Sequence, residues 1–181
     1  MESGVESEIA GVVFHPLRSH PDERGVLTEV FRDTWALGDR PVQWNVVRSE
    51  PGVLRGVHCH WHHTDILNVV AGELILGIVD LRPGSPTESR AEMHRIPALS
   101  AVVGIPPGVA HGFYFEEPTC ITYGVSAYWS LDDELGCRWN DPDLGLDWPC
   151  TAPSLSERDR TAGPLVTLRA AIASALARHD A

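Results

Sequence analysis

The sequence contains no lysine, because all 14 of its basic residues are arginines. Without a lysine the chain can form no Schiff base with a carbonyl substrate, and it has no P-loop. The 25 acidic residues outnumber the arginines, and the resulting net charge of −11 repels nucleic acid and anionic membranes. We expect no nucleic-acid partner, and a phosphate-bearing substrate would need specific arginine contacts.

The sequence also lacks a long apolar run and a paired-cysteine motif. No stretch approaches the ~18 apolar residues of a membrane-spanning helix. Glu2, Glu6 and Glu8 interrupt the segment in which a signal peptide would be apolar. The cysteines at positions 59, 120, 137 and 150 form no C-x-x-C pair. These absences predict a cytoplasmic protein with reduced thiols and no membrane partner.

The middle of the chain consists of short apolar runs that end at Gly, Pro or Asp, such as SAVVGIPPG and CITYGVSAYW. Such runs are typical of antiparallel strands. The segment from Ile66 to Leu81 is predicted to be a hairpin that turns at Ala71 and Gly72. No helical stretch separates the runs, which favours a sandwich or barrel over alternating strands and helices.

The C-terminal segment has a helical pattern instead. After Gly163 and Pro164 the apolar residues follow helical spacing, at Leu165, Leu168, Ala171, Ile172 and Leu176. We therefore predict an all-β fold, one jelly-roll domain over residues 1–181 with a short C-terminal helix.

The segment RGVHCHWHHTD, residues 55 to 65, holds four of the nine histidines. On a strand, His58 and His60 would point to one face. The spacing G-x-H-x-H-x4-D-x6-G resembles the first motif of the cupin barrels, with Asp65 where glutamate is usual. PPGVAH, which ends at His111, resembles the second motif. The resemblance implies a cupin-type barrel in which His58, His60, Asp65 and His111 converge on a divalent ion such as Fe, Mn, Ni or Zn.

The alternative is that these histidines line a polar pocket or form hydrogen bonds to the core. His62 and His63 are predicted to lie in a turn, exposed to solvent.

The segment RWNDPDLGLDWP, residues 138 to 149, carries a more specific resemblance. Together with five other segments it is similar to the dTDP-4-dehydrorhamnose 3,5-epimerase family, over about residues 11 to 165. Those segments are HPDERGVLTEVF, VLRGVH, DLRPGSPT, IPPGVAHGF and LSERD. The resemblance implies a cupin-type barrel, a homodimer that exchanges N-terminal strands, and no required cofactor. It also implies epimerisation at C3 and/or C5 of a nucleotide-linked 4-keto-6-deoxy sugar.

In that chemistry a base removes a proton next to the C4 ketone, the enolate is held, and an acid returns a proton from the other face. The resemblance assigns the base to His58, its orienting carboxylate to Asp159 and the acid to Tyr128. It assigns the diphosphate contacts to Arg24 and Arg55. Further family positions near the nucleotide are Glu29, Gln43 and Asn45.

Two positions depart from the family pattern. Asp65 stands where the family carries a lysine that holds the enolate oxygen, and His60 replaces a glutamine. The loss of such a donor costs ~3–4 kcal/mol, and a carboxylate adds repulsion. A metal ion held by His60, Asp65 and His111 would restore positive charge and leave His58 free as the base.

Two other functions stay open at this point. If His58 also binds the ion, it cannot act as the base, and the protein would be a metal-dependent cupin isomerase or oxygenase on a related sugar or small carbonyl compound. A non-catalytic sugar-binding barrel is the third hypothesis.

Overall fold

The chain forms twelve strands and two α-helices among residues 6–179, which are the residues described by the computed structural model. The strands are β1 (Val13–Pro16), β2 (Ser19–Asp22), β3 (Gly25–Thr28), β4 (Gln43–Ser49), β5 (Leu54–Cys59), β6 (Asp65–Ala71), β7 (Glu73–Asp80), β8 (Ala91–Pro97), β9 (Ala101–Ile105), β10 (Val109–Tyr114), β11 (Thr119–Val125) and β12 (Leu135–Gly136). The helices are α1 (Glu157–Thr161) and α2 (Leu165–His179), and 3-10 turns cover Leu131–Asp133 and Pro142–Leu144.

Most of the strands form two five-stranded antiparallel sheets. The first has the order β1-β9-β6-β11-β4, the second has the order β12-β5-β10-β7-β8, and β2 pairs only with β3. Side chains from both sheets meet in one core, where Leu67 and Val103 of the first sheet pack with Leu76 and Ile78 of the second. Two sheets that face each other across a shared core confirm the predicted all-β jelly roll.

The predicted C-terminal helix is also confirmed. Leu165, Leu168 and Ile172 of α2 are buried in a cluster on the outer face of the second sheet, as their helical spacing requires. Ala171 is partly exposed, and the side chain of Leu176 lies outside the described residues. Within residues 6–179, no helix combines the length and the apolar character that a membrane span needs. The cytoplasmic location and the single domain stay predictions.

The predicted hairpin between Ile66 and Leu81 is wrong, although its turn is correctly located. Gly72 turns the chain with φ of 79°, but β6 belongs to the first sheet and β7 to the second. The chain therefore crosses from one sheet to the other at this point. Both strands are apolar on both faces because further segments cover the outside of each sheet, so their sequences do not reveal which strands they pair with.

The functional side chains of the second sheet depend on the close approach of β5 to β10, where His58 pairs with His111. Gly56 permits this approach with φ of 122°. A Cβ at this position would lie 2.8 Å from the Cα of Gly112 and 2.9 Å from the carbonyl oxygen of His111. These contacts are to backbone atoms, so no side chain can move aside.

We therefore predict that Gly56→Ala lowers the free energy of unfolding by about 2–4 kcal/mol, through backbone strain and overpacking. Urea denaturation of the purified protein measures this change. Gly163→Ala is the matched control, because the nearest atom to its new Cβ is a Thr167 side-chain atom at 3.8 Å. Equal stability of the two variants would contradict the prediction.

Candidate active site

A cavity of about 220 Å³ opens between the two sheets. Strands β4, β6 and β11 of the first sheet and β5 and β10 of the second line it, together with helix α1 and the segments that follow β5 and β11. Its polar lining residues are Asn45, Arg55, His58, His60, His63, Asp65, His111, Tyr123, Glu134 and Arg158. Its apolar lining residues are Val47, Phe113, Ile121, Val125 and Trp129.

His58 and Asp159 form a close pair at the edge of this cavity. The Nε2 atom of His58 lies 2.6 Å from Oδ1 of Asp159, although the two residues are 101 positions apart. Helix α1 brings Asp159 to this place, and Ser156 caps that helix by accepting a hydrogen bond from the Asp159 backbone N–H. Burial by itself raises the pKa of Asp159, but the hydrogen bond and charge interaction with His58, together with hydrogen bonds from Ser156 and the Gly56 backbone, outweigh it, so the pKa lies below its usual value.

A second group of ionisable side chains lies deeper in the cavity. The Oδ2 atom of Asp65 is 3.7 Å from Nε2 of His63 and 4.0 Å from Nε2 of His111. The rings of His60 and His63 stack with their centroids 4.2 Å apart. All four side chains are buried. The structure thus brings three of the four predicted metal ligands together, and it adds His63, which the sequence did not indicate.

Asp133 fixes the segment that carries these histidines. Its carboxylate accepts hydrogen bonds from the backbone N–H groups of Trp61 and His62 at 2.6 and 3.1 Å, and it lies 2.8 Å from Nδ1 of His63. The prediction that His63 is solvated is therefore wrong, since only 4% of it is exposed. His62 is exposed, as predicted. The local sequence could not reveal the difference because Asp133 comes from a distant segment.

Burial shifts the pKa values in this cluster. It lowers the pKa of His60 to about 4 and lowers that of His111, so both imidazoles are neutral at pH 7. It also raises the pKa of Asp65 to about 7. Burial by itself lowers the pKa of His63, but the hydrogen bond to Asp133 and the negative charges of Asp65, Asp133 and Glu134 together outweigh it, and this pKa lies above its usual value.

The predicted nucleotide and diphosphate positions fall into two sets. Arg55 and Asn45 line the cavity, and Gln43 lies beside them, where its Nε2 donates a hydrogen bond to the Asn45 side-chain oxygen at 3.1 Å. Arg24 and Glu29 do not line the cavity. They lie on and next to the exposed β2–β3 hairpin, where neighbouring charged side chains pair with them.

The predicted acid, Tyr128, lies outside the cavity lining, with 76% of its surface exposed. The tyrosine that does line the cavity is Tyr123. Alternation along β11 could have identified it, because Ile121, Tyr123 and Val125 share the inward face. Burial raises the pKa of Tyr123, so its phenol stays protonated at neutral pH.

Glu134 and Arg158 were also missed. They lie far apart in the sequence, and they form an ion pair at the cavity wall.

Comparisons with known proteins agree with the resemblance seen in the sequence. The family model described as dTDP-4-dehydrorhamnose 3,5-epimerase matches residues 6–166. The dTDP-4-dehydrorhamnose 3,5-epimerase of Pseudomonas aeruginosa is 36% identical over 159 residues, which cover 82% of this chain and 87% of that protein. The enzyme of the same name from Neisseria gonorrhoeae is 38% identical over 147 residues, which are 76% of this chain but only 45% of the relative.

Solved structures show the same similarity. NovW, a 4-keto-6-deoxy sugar epimerase from Streptomyces spheroides, superposes with a TM-score of 0.83 at 30% identity, over 94% of each chain. ChmJ, a 3'-monoepimerase from Streptomyces bikiniensis solved with dTDP-quinovose, superposes with a TM-score of 0.81 at 31% identity, over 89% of this chain and 87% of that one. The predicted cupin-type barrel is confirmed by these neighbours.

The contacts of Asp133 predict how stability depends on pH. Hydrogen bonds from His63 and two backbone N–H groups outweigh burial and hold the pKa of Asp133 below its usual value. A lowered pKa contributes stability above the unfolded value of about 3.9, and this contribution is lost as the pH falls through the folded value. Asp133→Asn should therefore lower the free energy of unfolding at pH 7 by about 1–3 kcal/mol. The gap to the wild type should narrow below about pH 4.

Urea denaturation of both proteins between pH 7 and pH 3 tests this expectation. The exposed Asp147 provides the control variant, Asp147→Asn, which should follow the wild type at every pH. A gap between wild type and Asp133→Asn that stays constant across the whole range would refute the assignment.

Proposed function

Because the chain belongs to the dTDP-4-dehydrorhamnose 3,5-epimerase family, we propose that it epimerises a nucleotide-linked 4-keto-6-deoxy sugar at C3 and/or C5. The observation that carries this proposal is the pairing of His58 with the buried Asp159, at 2.6 Å, on the wall of a cavity. The family chemistry requires no cofactor, and the nucleotide is proposed to be dTDP, as in the relatives.

We propose His58 as the base. The ketone at C4 acidifies the neighbouring C–H bonds, and a neutral imidazole can remove a proton from them. Asp159 accepts the hydrogen on Nε2, which leaves the lone pair on Nδ1 and stabilises the imidazolium that forms. Asp159 is therefore a positioning residue, and it acts through His58.

The acid that returns the proton must approach the other face of the sugar. Tyr123 meets this requirement, because it projects from the first sheet while His58 projects from the second, and both line the same cavity. We propose Tyr123 as the donor on this basis. Tyr128, the residue that the family resemblance assigns, remains the alternative, and it would have to move inward to serve.

The size of the cavity supports a binding mode in which only part of the substrate lies inside it. Its volume of about 220 Å³ is smaller than the ~300–1,000 Å³ of pockets that enclose whole drug-sized ligands. We propose that the sugar lies inside and that the diphosphate lies at the mouth against Arg55, next to Asn45 and Gln43. In a homodimer, Arg24 and Glu29 would contact the substrate of the partner subunit.

Solvent exchange tests the proposed chemistry. In deuterated water the wild-type protein should introduce deuterium at C3 and/or C5 of dTDP-4-keto-6-deoxyglucose, as followed by NMR. His58→Gln should slow this exchange by roughly 10²–10⁴-fold, because it removes the general base. His62→Gln is the control, since His62 is exposed on the neighbouring turn and should exchange at the wild-type rate. Undiminished exchange by His58→Gln would exclude this base, and no exchange by the wild type would refute epimerisation.

We also propose a homodimer. Two parts of the N-terminal half expose large apolar side chains, Val26 and Leu27 on β3 and Trp44 and Val46 on the edge strand β4. Apolar side chains on an edge strand invite pairing with another chain. A second copy that covers this face would give the N-terminal strands the partner that the family resemblance implies.

We predict that the wild type sediments as a dimer and that Val46→Asp dissociates it, because the substitution places a charge in the proposed interface. Val166→Asp is the matched control: Val166 on α2 is 70% exposed and Val46 is 68% exposed. Analytical ultracentrifugation compares the three proteins. Dissociation by both variants, or by neither, would count against this interface.

A metal-dependent cupin enzyme on a related sugar or small carbonyl compound is the second candidate function. The observation that favours it is the burial of Asp65, a carboxylate at the position where the family resemblance implies a lysine. Turnover that is lost with a chelator, without any solvent exchange, would support this candidate. Substrate-induced thermal stabilisation with neither turnover nor exchange would support a binding protein instead.

A further inference from the structure

We infer that His60, His63 and Asp65, with His111 as a fourth ligand, bind one divalent transition-metal ion such as Zn²⁺. This ligand set differs from the one that the cupin spacing implies, because His63 enters it and His58 leaves it. The inference goes beyond the proposed epimerisation, whose family chemistry requires no metal, and it is independent of that reaction.

The ligand atoms converge at distances suited to an ion. One ligand atom each from His60, His63 and Asp65 lies within 4.8 Å of the others. The Asp65 Oδ2 atom is 3.7 Å from His63 Nε2 and 4.0 Å from His111 Nε2. Tetrahedral coordination at about 2.0–2.2 Å per ligand places neighbouring ligands roughly 3.3–3.5 Å apart. The side chains of His60, His63 and Asp65 would have to contract by less than about 1.5 Å to reach this geometry. His111 lies outside this group of three and reaches it through its 4.0 Å contact with Asp65.

Each imidazole presents the correct nitrogen. The Nδ1 atom of His60 lies 3.1 Å from the carbonyl oxygen of Asp133, that of His63 lies 2.8 Å from the Asp133 carboxylate, and that of His111 lies 3.3 Å from the carbonyl oxygen of Val109. These oxygens only accept, so each Nδ1 carries the hydrogen, and in the neutral ring each Nε2 keeps its lone pair. An ion that binds His63 displaces any proton that its raised pKa leaves on Nε2. Metal-binding histidines are oriented in this same way.

Asp65 supplies the strongest indication that this cluster binds a cation. Only 5% of it is exposed, and within the described part of the chain its carboxylate makes no hydrogen bond. The contacts of 3.7 and 4.0 Å are too long for one. A buried carboxylate that accepts no hydrogen bond is costly, and coordination of a cation removes that cost.

His58 lies outside this ligand set for a geometric reason. Among the described residues, His63 and His111 have a nitrogen within 4.0 Å of the Asp65 carboxylate, whereas His58 has none and its Nε2 atom is bound to Asp159 at 2.6 Å. The remaining donors, imidazole nitrogens and a single carboxylate, suit Zn²⁺, Fe²⁺, Co²⁺ or Ni²⁺ better than Ca²⁺ or Mg²⁺. A bound ion would supply positive charge beside the cavity, and this charge would stabilise a substrate enolate. Only this role of the ion rests on the proposed function.

Direct metal binding tests the inference without any substrate. The full chain is stripped with a chelator, dialysed, and titrated with Co²⁺ by absorption spectroscopy and with Zn²⁺ by calorimetry. We expect one equivalent of either ion per chain and a higher melting temperature in its presence. His63→Gln and the nearly isosteric Asp65→Asn should each weaken Zn²⁺ binding by at least 100-fold, because each removes a ligand.

Two matched controls separate this site from its alternatives. His62→Gln changes an exposed neighbour, and His58→Gln removes the histidine that the cupin spacing would include; both should bind Zn²⁺ as the wild type does. Circular dichroism establishes that each variant is folded. A folded wild-type protein that binds less than one equivalent overturns the inference. Wild-type affinity in His63→Gln, or lost binding in His58→Gln, overturns the ligand set. Failure of solvent exchange would leave all of these results unaffected.

Discussion

The need to compensate buried negative charge without any lysine shapes the interior of this barrel. Asp159 is compensated by His58, and Glu134 is compensated by Arg158. Each of these contacts joins segments that are far apart in the sequence, and each also positions a group at the cavity. Asp65 is the exception, since it is as deeply buried but has no hydrogen-bond partner within the described residues.

The same constraint explains why a loop built from polar residues is buried. Asp133 holds Trp61, His62 and His63 by two backbone hydrogen bonds and one imidazole contact. These contacts fold the segment after β5 inward, so that His63 faces Asp65. The carboxylate thus converts a turn that would otherwise be solvated into part of the cavity wall.

Much of the fold and part of the site could be predicted from the sequence, and the exceptions share one cause. Strand periodicity, the turn at Gly72 and helix α2 are local properties, and they were predicted correctly. The sheet to which β7 belongs and the burial of His63 depend on contacts between distant segments. Local sequence patterns do not reveal those contacts. The family resemblance predicted the pairing of His58 with Asp159 because it compares whole chains.

The division of the cavity between the two sheets follows from the jelly roll itself. Residues that alternate along facing strands project into the same space from opposite sides, so His58 on β5 and Tyr123 on β11 line one cavity from opposite sheets. The fold constrains the identity of the proposed proton donor less than that of the proposed base. Tyr123 lies on a regular strand, whereas Tyr128 follows the end of β11, where alternation no longer applies.

Protonation and cation binding can each remove the buried charge of Asp65, but they satisfy different numbers of neighbouring groups. Burial raises the pKa of Asp65 to about 7, so protonation is one way to remove the charge. A protonated carboxyl group donates one hydrogen, which can satisfy the Nε2 lone pair of either His63 or His111, but not both. That hydrogen would also leave the lone pair of His60 to the cavity that His60 lines. A single divalent ion satisfies the carboxylate and all three imidazoles at once, and for this reason the cluster fits a cation better than a proton.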